Sequence, residues 1–172
     1  DEGLKLRRHG IEKEILSLGP VSAGRYQECL ENDISLPVFE YRRAKELSDA
    51  AAAEGKTAKI HIAVDTGMSR IGLFPDEGSV ETVKEIAELP ALRIAGMFTH
   101  FARADEADKT NAGEQYSRFH AFCDAVKAAG VDVPVCHCSN SAVDRDSRAD
   151  RVHVKIGEFH DSGAIGTVTD RD

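Results

Sequence analysis

A chain of 172 residues with 22 basic and 30 acidic side chains has a net charge of −8, which argues against nucleic acid or an anionic membrane as partner. Its 41 % hydrophobic and 30 % charged residues match a soluble globular protein, and no apolar run approaches a membrane span. Cys29, Cys123, Cys136 and Cys138 show no disulfide-framework spacing, and there is no signal-like N-terminus, so a reducing cytoplasm is the expected location.

The sequence starts Asp-Glu-Gly-Leu, without Met and inside a predicted helix, and stops at Thr169-Asp-Arg-Asp, so a piece of a longer protein is expected. Leu4 to His9 reads as the end of that helix, stopped by Gly10. Ile15 to Gly19 is a strand, and Tyr26, Cys29 and Leu30 mark one face of a short helix. Leu36 to Phe39 is a second strand. The next helix, Tyr41 to Glu54, turns Ala44, Leu47 and Ala51 inward and ends at Gly55.

Lys59 to Val64 is a β-branched, buried strand, followed by a helix with Val80, Val83, Ile86 and Ala87 on one side. Leu92 to Phe98 is a fourth strand that runs into Thr99-His100-Phe101-Ala102, and Arg103 to Thr110 is a polar loop. Asn111 with Glu114 three residues on reads as the cap of a helix carrying Tyr116, Phe119, Phe122, Cys123 and Val126, stopped by Gly130. Val133 to Cys138 is the fifth strand and leads into Ser139-Asn140-Ser141-Ala142.

Strand and helix thus alternate about five times, with strands too uniformly apolar to leave one side in water. That pattern predicts an α/β fold with a parallel sheet. Without a Gly-x-Gly-x-x-Gly or P-loop pattern, a partial TIM-type (β/α) barrel of about five βα units is favoured over a doubly wound nucleotide fold. Residues 1–142 form this unit. Residues 143–172 read as a charged linker (Asp144 to Asp150), an alternating strand from Arg151 to Lys155, and the start of a β-rich stub too short to own a core.

In parallel βα folds, functional groups sit at the carboxyl ends of strands. Three ends here are polar in an organised way. In Asp65-Thr-Gly-Met-Ser-Arg70, Asp and Gly break the strand and Arg70 is either a surface charge or a planar fork for a carboxylate, phosphate or phenolate. Asn140 and Ser141 are either a helix cap or a phosphate seat. His100 and His137 end neighbouring strands and are expected to face one another, either as structural histidines or as supports for a catalytic group. Cys136-His137-Cys138 puts its thiols on one strand face and its imidazole on the other, and no second cluster supplies further ligands, so buried thiols are expected and no metal.

Val64-Asp-Thr-Gly-Met-Ser-Arg-Ile-Gly72, Phe98-Thr-His-Phe-Ala102 with Ala104-Asp-Glu106, and His137-Cys-Ser-Asn-Ser-Ala142 together resemble bacterial alanine racemase, nearly continuously from Glu2 to Ala142. The resemblance implies a (β/α)₈ barrel holding pyridoxal phosphate, a following β-domain, a head-to-tail homodimer, and interconversion of L- and D-alanine for cell-wall precursors. Arg70 matches the arginine that contacts the cofactor's phenolic oxygen and positions the substrate carboxylate, and Asn140 and Ser141 match the phosphate-binding segment. His100 and His137 match histidines that support the catalytic tyrosine and the arginine on the pyridine nitrogen. Ala63 stands where many members carry a modified lysine.

Other matches fail. The family's Lys-Ala-x-Ala-Tyr-Gly-His motif, with the Schiff-base lysine, and its Val-Arg-x-Gly stretch do not occur here. The Ser-Tyr-Gly-Ala of the β-domain, whose tyrosine is catalytic, is replaced by Ser162-Gly163-Ala164. No catalytic residue is therefore expected in this chain. A serine racemase of the same fold, or a non-catalytic cofactor-binding or carrier barrel, is the alternative.

Overall fold

The computed structural model describes residues 1–103, 110–139 and 154–157, the last four and Ser139 by backbone only. In chain order the elements are α1 (Glu2–Arg8), β1 (Ile15–Leu16), a 3₁₀ turn at Ala23–Arg25, α2 (Tyr26–Glu31), β2 (Ile34–Val38) and α3 (Tyr41–Ala53). Then follow β3 (Ala58–Val64), α4 (Glu77–Ala87), β4 (Leu92–His100), α5 (Thr110–Ala128), β5 (Val135–Ser139) and β6 (Val154–Gly157).

Strands β1 to β5 lie side by side in sequence order, all parallel, and curl into half of a TIM-type barrel with the helices outside. Sequential order is what successive right-handed βα crossovers produce. The fold class read from the alternation is therefore the one observed. β6 breaks the parallel pattern: it pairs antiparallel with β5, Cys136 opposite Ile156 and His137 opposite Lys155.

Each strand has two faces, because successive side chains point opposite ways. Leu36, Val38, Ile60, Ile62, Val64, Ile94, Met97, Cys136 and Cys138 point to the helices and form one core with Ala44, Leu47, Ala51, Val83, Ile86, Phe119, Phe122 and Val126. Cys123 approaches Met97, sulfur to sulfur, at 3.7 Å inside it. Burial and a neighbouring thiol suit these cysteines to packing: Cys138 is pushed up to about 12 by desolvation, far from a reactive thiolate. The opposite, lumen face carries Ser35, His61, Ala63, Gly96, Phe98 and His137. These residues lie outside that core although most are buried.

Several local expectations need correction. β1 is only Ile15–Leu16, although the Ser17 amide still donates to the Ser35 carbonyl at 2.9 Å before the chain turns at Gly19. β2 starts at Ile34 and ends before Phe39, and β5 starts at Val135, two residues after Val133. Ala87 is exposed, whereas Val83 and Ile86 face the core. Asp76 was unforeseen as the cap of α4; its carboxylate accepts the Ser79 amide at 2.8 Å.

Asn111 is not a cap. α5 already includes Thr110, and the Asn111 Oδ1 is buried with no hydrogen-bond partner among the described residues. Glu114 pairs instead with Arg118 at 3.0 Å one turn further on. The stops at Gly10, Gly55 and Gly130 are as expected, each at positive φ.

Candidate functional site

The loop from Asp65 to Gly72 leaves β3 and returns at once to the same strand. Asp65 N–H donates to the Leu73 carbonyl and Leu73 N–H to the Ala63 carbonyl, both at 2.9 Å, which closes the loop at its base. The Asp65 carboxylate fills the ring, accepting the amides of Gly67 at 3.0 Å and Ser69 at 2.9 Å. Gly72 sits with φ +130°, and a Cβ there would lie 2.4 Å from the Asp65 nitrogen. Only glycine permits that approach.

Thr66 ties the loop to the barrel. It is buried, its hydroxyl lies 2.8 Å from that of Thr99, and Thr99 donates to the Val64 carbonyl at 2.8 Å. Gln115 of α5, fully buried, donates to Thr66 Oγ1 at 3.1 Å and to the His100 carbonyl at 3.2 Å. Its oxygen accepts the Ala102 amide at 2.9 Å, so both donor hydrogens and the acceptor are satisfied. Arg118 adds a bond to the Thr66 carbonyl. One glutamine thus couples the loop after β3 to the end of β4.

Within this loop Asp65, Thr66, Gly67, Ser69 and Gly72 all serve its geometry. Arg70 does not. It is exposed, and its guanidinium has no hydrogen bond or ion pair among the described residues. It lines an open cleft with Leu18, Ala63, Val64, Met68, Ile71, Phe98 and His100, at the carboxyl ends of the strands. An uncommitted planar cation beside an apolar floor can take a carboxylate, phosphate or phenolate and leave the apolar body of the ligand on Phe98 and Ala63.

Below the mouth the lumen holds a second polar group. His137 lies opposite Phe98 in register and stacks on it, centroids 5.4 Å apart and planes at 14°. Its Nε2 is 3.3 Å from Nδ1 of His61, which is 5 % exposed. His61 Nε2 in turn faces Glu14 Oε1 at 3.6 Å, longer than a hydrogen bond, and has no bonded partner. Burial holds both imidazoles below their ordinary range, His137 down to about 4 with the neighbouring His61 charge adding to the effect. Burial alone would raise Glu14, but the Ser35 hydroxyl at 2.8 Å and the His61 and Lys59 charges outweigh it and hold the carboxyl low.

The structure thus brings Arg70 and His100 to one cleft, as the strand-end argument expects. His137 does not end its strand level with His100: His100 is in register with Ser139, and His137 sits one layer deeper, against His61 and Phe98. The cause is register, since β4 runs two residues beyond Phe98. Asn140 and Ser141 lie outside the described residues; they are the two residues that follow β5 in sequence. Among the described residues no group of three potential ligands could hold a metal ion. The reading of single strands missed His61, Glu14 and Gln115. For His61 a signal existed: it alternates with Ile60 and Ile62, a polar residue on the other face of an apolar strand.

Half of a parallel α/β barrel, with Arg70 lining a cleft at the carboxyl ends of its strands, defines the class: a partial TIM-type barrel. Comparison with known proteins makes the assignment specific. The chain matches the alanine racemase N-terminal domain over residues 1–158 and belongs to that family. It is 45 % identical over 141 residues to the alanine racemase of Methanococcus maripaludis, covering 82 % of this chain and 38 % of that protein. The solved alanine racemase of Clostridium difficile 630 superposes with a TM-score of 0.80 at 35 % identity, over 86 % of this chain and 38 % of that one. The alanine racemase of Bacillus anthracis with bound L-Ala-P gives 0.70 at 38 % identity, over 83 % of this chain and 36 % of that one. The chain thus spans a little over a third of the length of these relatives. Among the described residues, no helix is long and apolar enough to cross a membrane.

Proposed function

We propose that this chain forms the cofactor-binding barrel portion of a pyridoxal-phosphate-dependent alanine racemase. The observation that carries this reading is Arg70, whose guanidinium has no hydrogen bond or ion pair among the described residues, set at the cleft of a chain 45 % identical to an alanine racemase. The cleft fits the group in kind: a free guanidinium for an oxyanion, and Phe98, Ala63 and Met68 for a flat apolar body. Bound there, pyridoxal phosphate supplies the electron sink that acidifies the Cα proton of an amino acid.

Arg70 holds the phenolate and orients the substrate carboxylate through a planar fork that an ammonium cannot copy. Asn140 and Ser141, directly after β5, hold the phosphate through amides and a hydroxyl. His100 and His137 support neighbouring catalytic groups. Residues 1–142 serve the barrel and residues 143–172 open the β-domain, in a cytoplasmic homodimer that supplies D-alanine for cell-wall precursors.

Racemisation needs a base on one side of Cα and an acid on the other, each worth about 10²–10⁴-fold. The family's lysine and tyrosine for those roles are not among these 172 residues, so the chain by itself is proposed not to turn over alanine. The test has two arms. Pyridoxal phosphate titrated into the chain, followed by absorbance, should bind and should lose affinity in Arg70→Ala. Chiral detection of D-alanine from L-alanine should then find no turnover above free cofactor. Equal affinity in both proteins would overturn the assignment of Arg70, and turnover well above the control would overturn the assignment of the missing pair.

A further inference from the structure

The lumen contains a titratable chain, Glu14, His61 and His137, of which the proposed function uses only His137; Glu14 and His61 have no part in it, and the inference rests on that reading for the role of His137 alone. Its members come from three separate elements, the loop before β1, then β3 and β5. The fold makes deliberate room for it. At Gly96 a Cβ would stand 2.6 Å from the His61 ring and 2.7 Å from the Val135 carbonyl, so the ring occupies the volume that a side chain on β4 would need. The register of β3 on β4 shifts at that point, between Ile60 and His61, with Ala95 as the extra residue. Ser35 fixes the carboxylate at the far end by a 2.8 Å bond to Glu14 Oε1.

Proton positions follow from this geometry. Between His61 Nδ1 and His137 Nε2, at 3.3 Å, one nitrogen must donate and the other accept. His61 is buried and therefore neutral, with a single proton to place. A carboxylate oxygen 3.6 Å from its Nε2 attracts that proton, because the buried Nε2 would otherwise turn a bare lone pair toward a negative charge; the Glu14 side chain itself is 49 % exposed. With the proton on Nε2, His61 Nδ1 is an acceptor. His137 Nε2 must then carry the hydrogen of the shared bond, and the neutral ring has none left for Nδ1. That atom has no hydrogen-bond partner among the described residues.

We propose that Glu14 and His61 are positioning residues that lock His137 as its Nε2–H tautomer, so that Nδ1 stands as a hydrogen-bond acceptor one layer below the cleft. The stack on Phe98 orients the plane of the ring, and Phe98 is itself part of the cleft floor, so the tautomer is set in a ring that lies against that floor. The carboxylate acts at a distance: Glu14 makes no bond to His137, and its influence passes through the one proton of His61.

Nitrogen-15 NMR of the histidine side chains in the full chain near neutral pH tests this, through the couplings that tell a protonated ring nitrogen from a bare one. Wild type should show Nε2–H and bare Nδ1 at both His61 and His137. In Glu14→Leu the proton of His61 should move to Nδ1, and His137 should follow by moving its own from Nε2 to Nδ1. Ser35→Ala, which keeps the carboxylate, should leave both tautomers as in wild type. A wild-type His137 protonated at Nδ1, or at both nitrogens, overturns the proposal without any variant. An unchanged His137 in folded Glu14→Leu overturns the part assigned to Glu14. No cofactor is present in these samples, so a failure to bind pyridoxal phosphate would refute the proposed function and leave this result standing.

Discussion

The two faces of one sheet do different work. Toward the helices, β3, β4 and β5 present Ile60, Ile62, Val64, Met97, Cys136 and Cys138 to a continuous apolar core. Toward the lumen the same strands present His61, Ala63, Phe98 and His137, and a glycine where two side chains would collide. Burial is similar on both sides, yet the polar groups differ: the lumen side of the sheet carries the imidazoles of His61 and His137, while the helix side carries the hydroxyl and amide bonds of Thr66, Thr99 and Gln115 near the strand ends. The contrast shows how a strand that looks uniformly apolar can hold a polar row: half of its positions satisfy packing, and the other half are read only by what lies across the barrel.

The comparison can be broken first on its packing side. Ile62→Ala empties a fully buried site between sheet and helices and should cost about 2–5 kcal/mol in urea denaturation. A loss below 1 kcal/mol would mean that this face is not the core. On the lumen side, Gly96→Ala should cost about 1–3 kcal/mol by overpacking and should also displace His61 from His137, visible as shifted imidazole resonances. Resonances unchanged in Gly96→Ala would show that the ring has slack.

The third test uses pH. His137 is held from its ordinary 6.5 down to about 4, with burial the largest cause and the His61 charge next, partly opposed by Glu14. Between those values the unfolded chain takes up a proton that the folded chain refuses, so stability falls as pH drops through this window and levels off below it for this group. The loss should be on the order of 1–2 kcal/mol once partial solvent access is allowed for. It should be smaller in His137→Phe. The depressed Glu14 carboxyl extends the loss at still lower pH. The smallest effect on stability belongs to Arg70→Ala, within about 0.5 kcal/mol, because Arg70 is exposed and its guanidinium has no hydrogen bond or ion pair among the described residues. A large loss there would place Arg70 in the scaffold and not at the mouth.

Much of this was legible in the sequence. Ala44, Leu47 and Ala51 repeat at helical spacing, the β-branched run before Asp65 has strand period, and the glycines after α1, α3 and α5 mark their ends. Local backbone preference and hydrophobic period decide such features, and both act within a few residues. The motif around Arg70 was equally visible, because its turn chemistry is local: Asp65 bonds Gly67 and Ser69 within its own loop.

What only the tertiary structure decided depends on register between strands far apart in the chain. His137 meets His61, 76 residues away, and not His100, because β4 extends two residues past Phe98. Gln115 reads as a polar residue on a surface helix, yet 49 residues separate it from the Thr66 hydroxyl that it binds while fully buried. A side chain's hydrogen-bond partners are fixed by where the backbone of another element happens to lie, and a buried amide or imidazole is stable only once those partners are in place. Period and propensity carry no information about that distance, so the chain by itself determined its strands, helices and Arg70 loop, while the fold alone determined which of its polar groups meet.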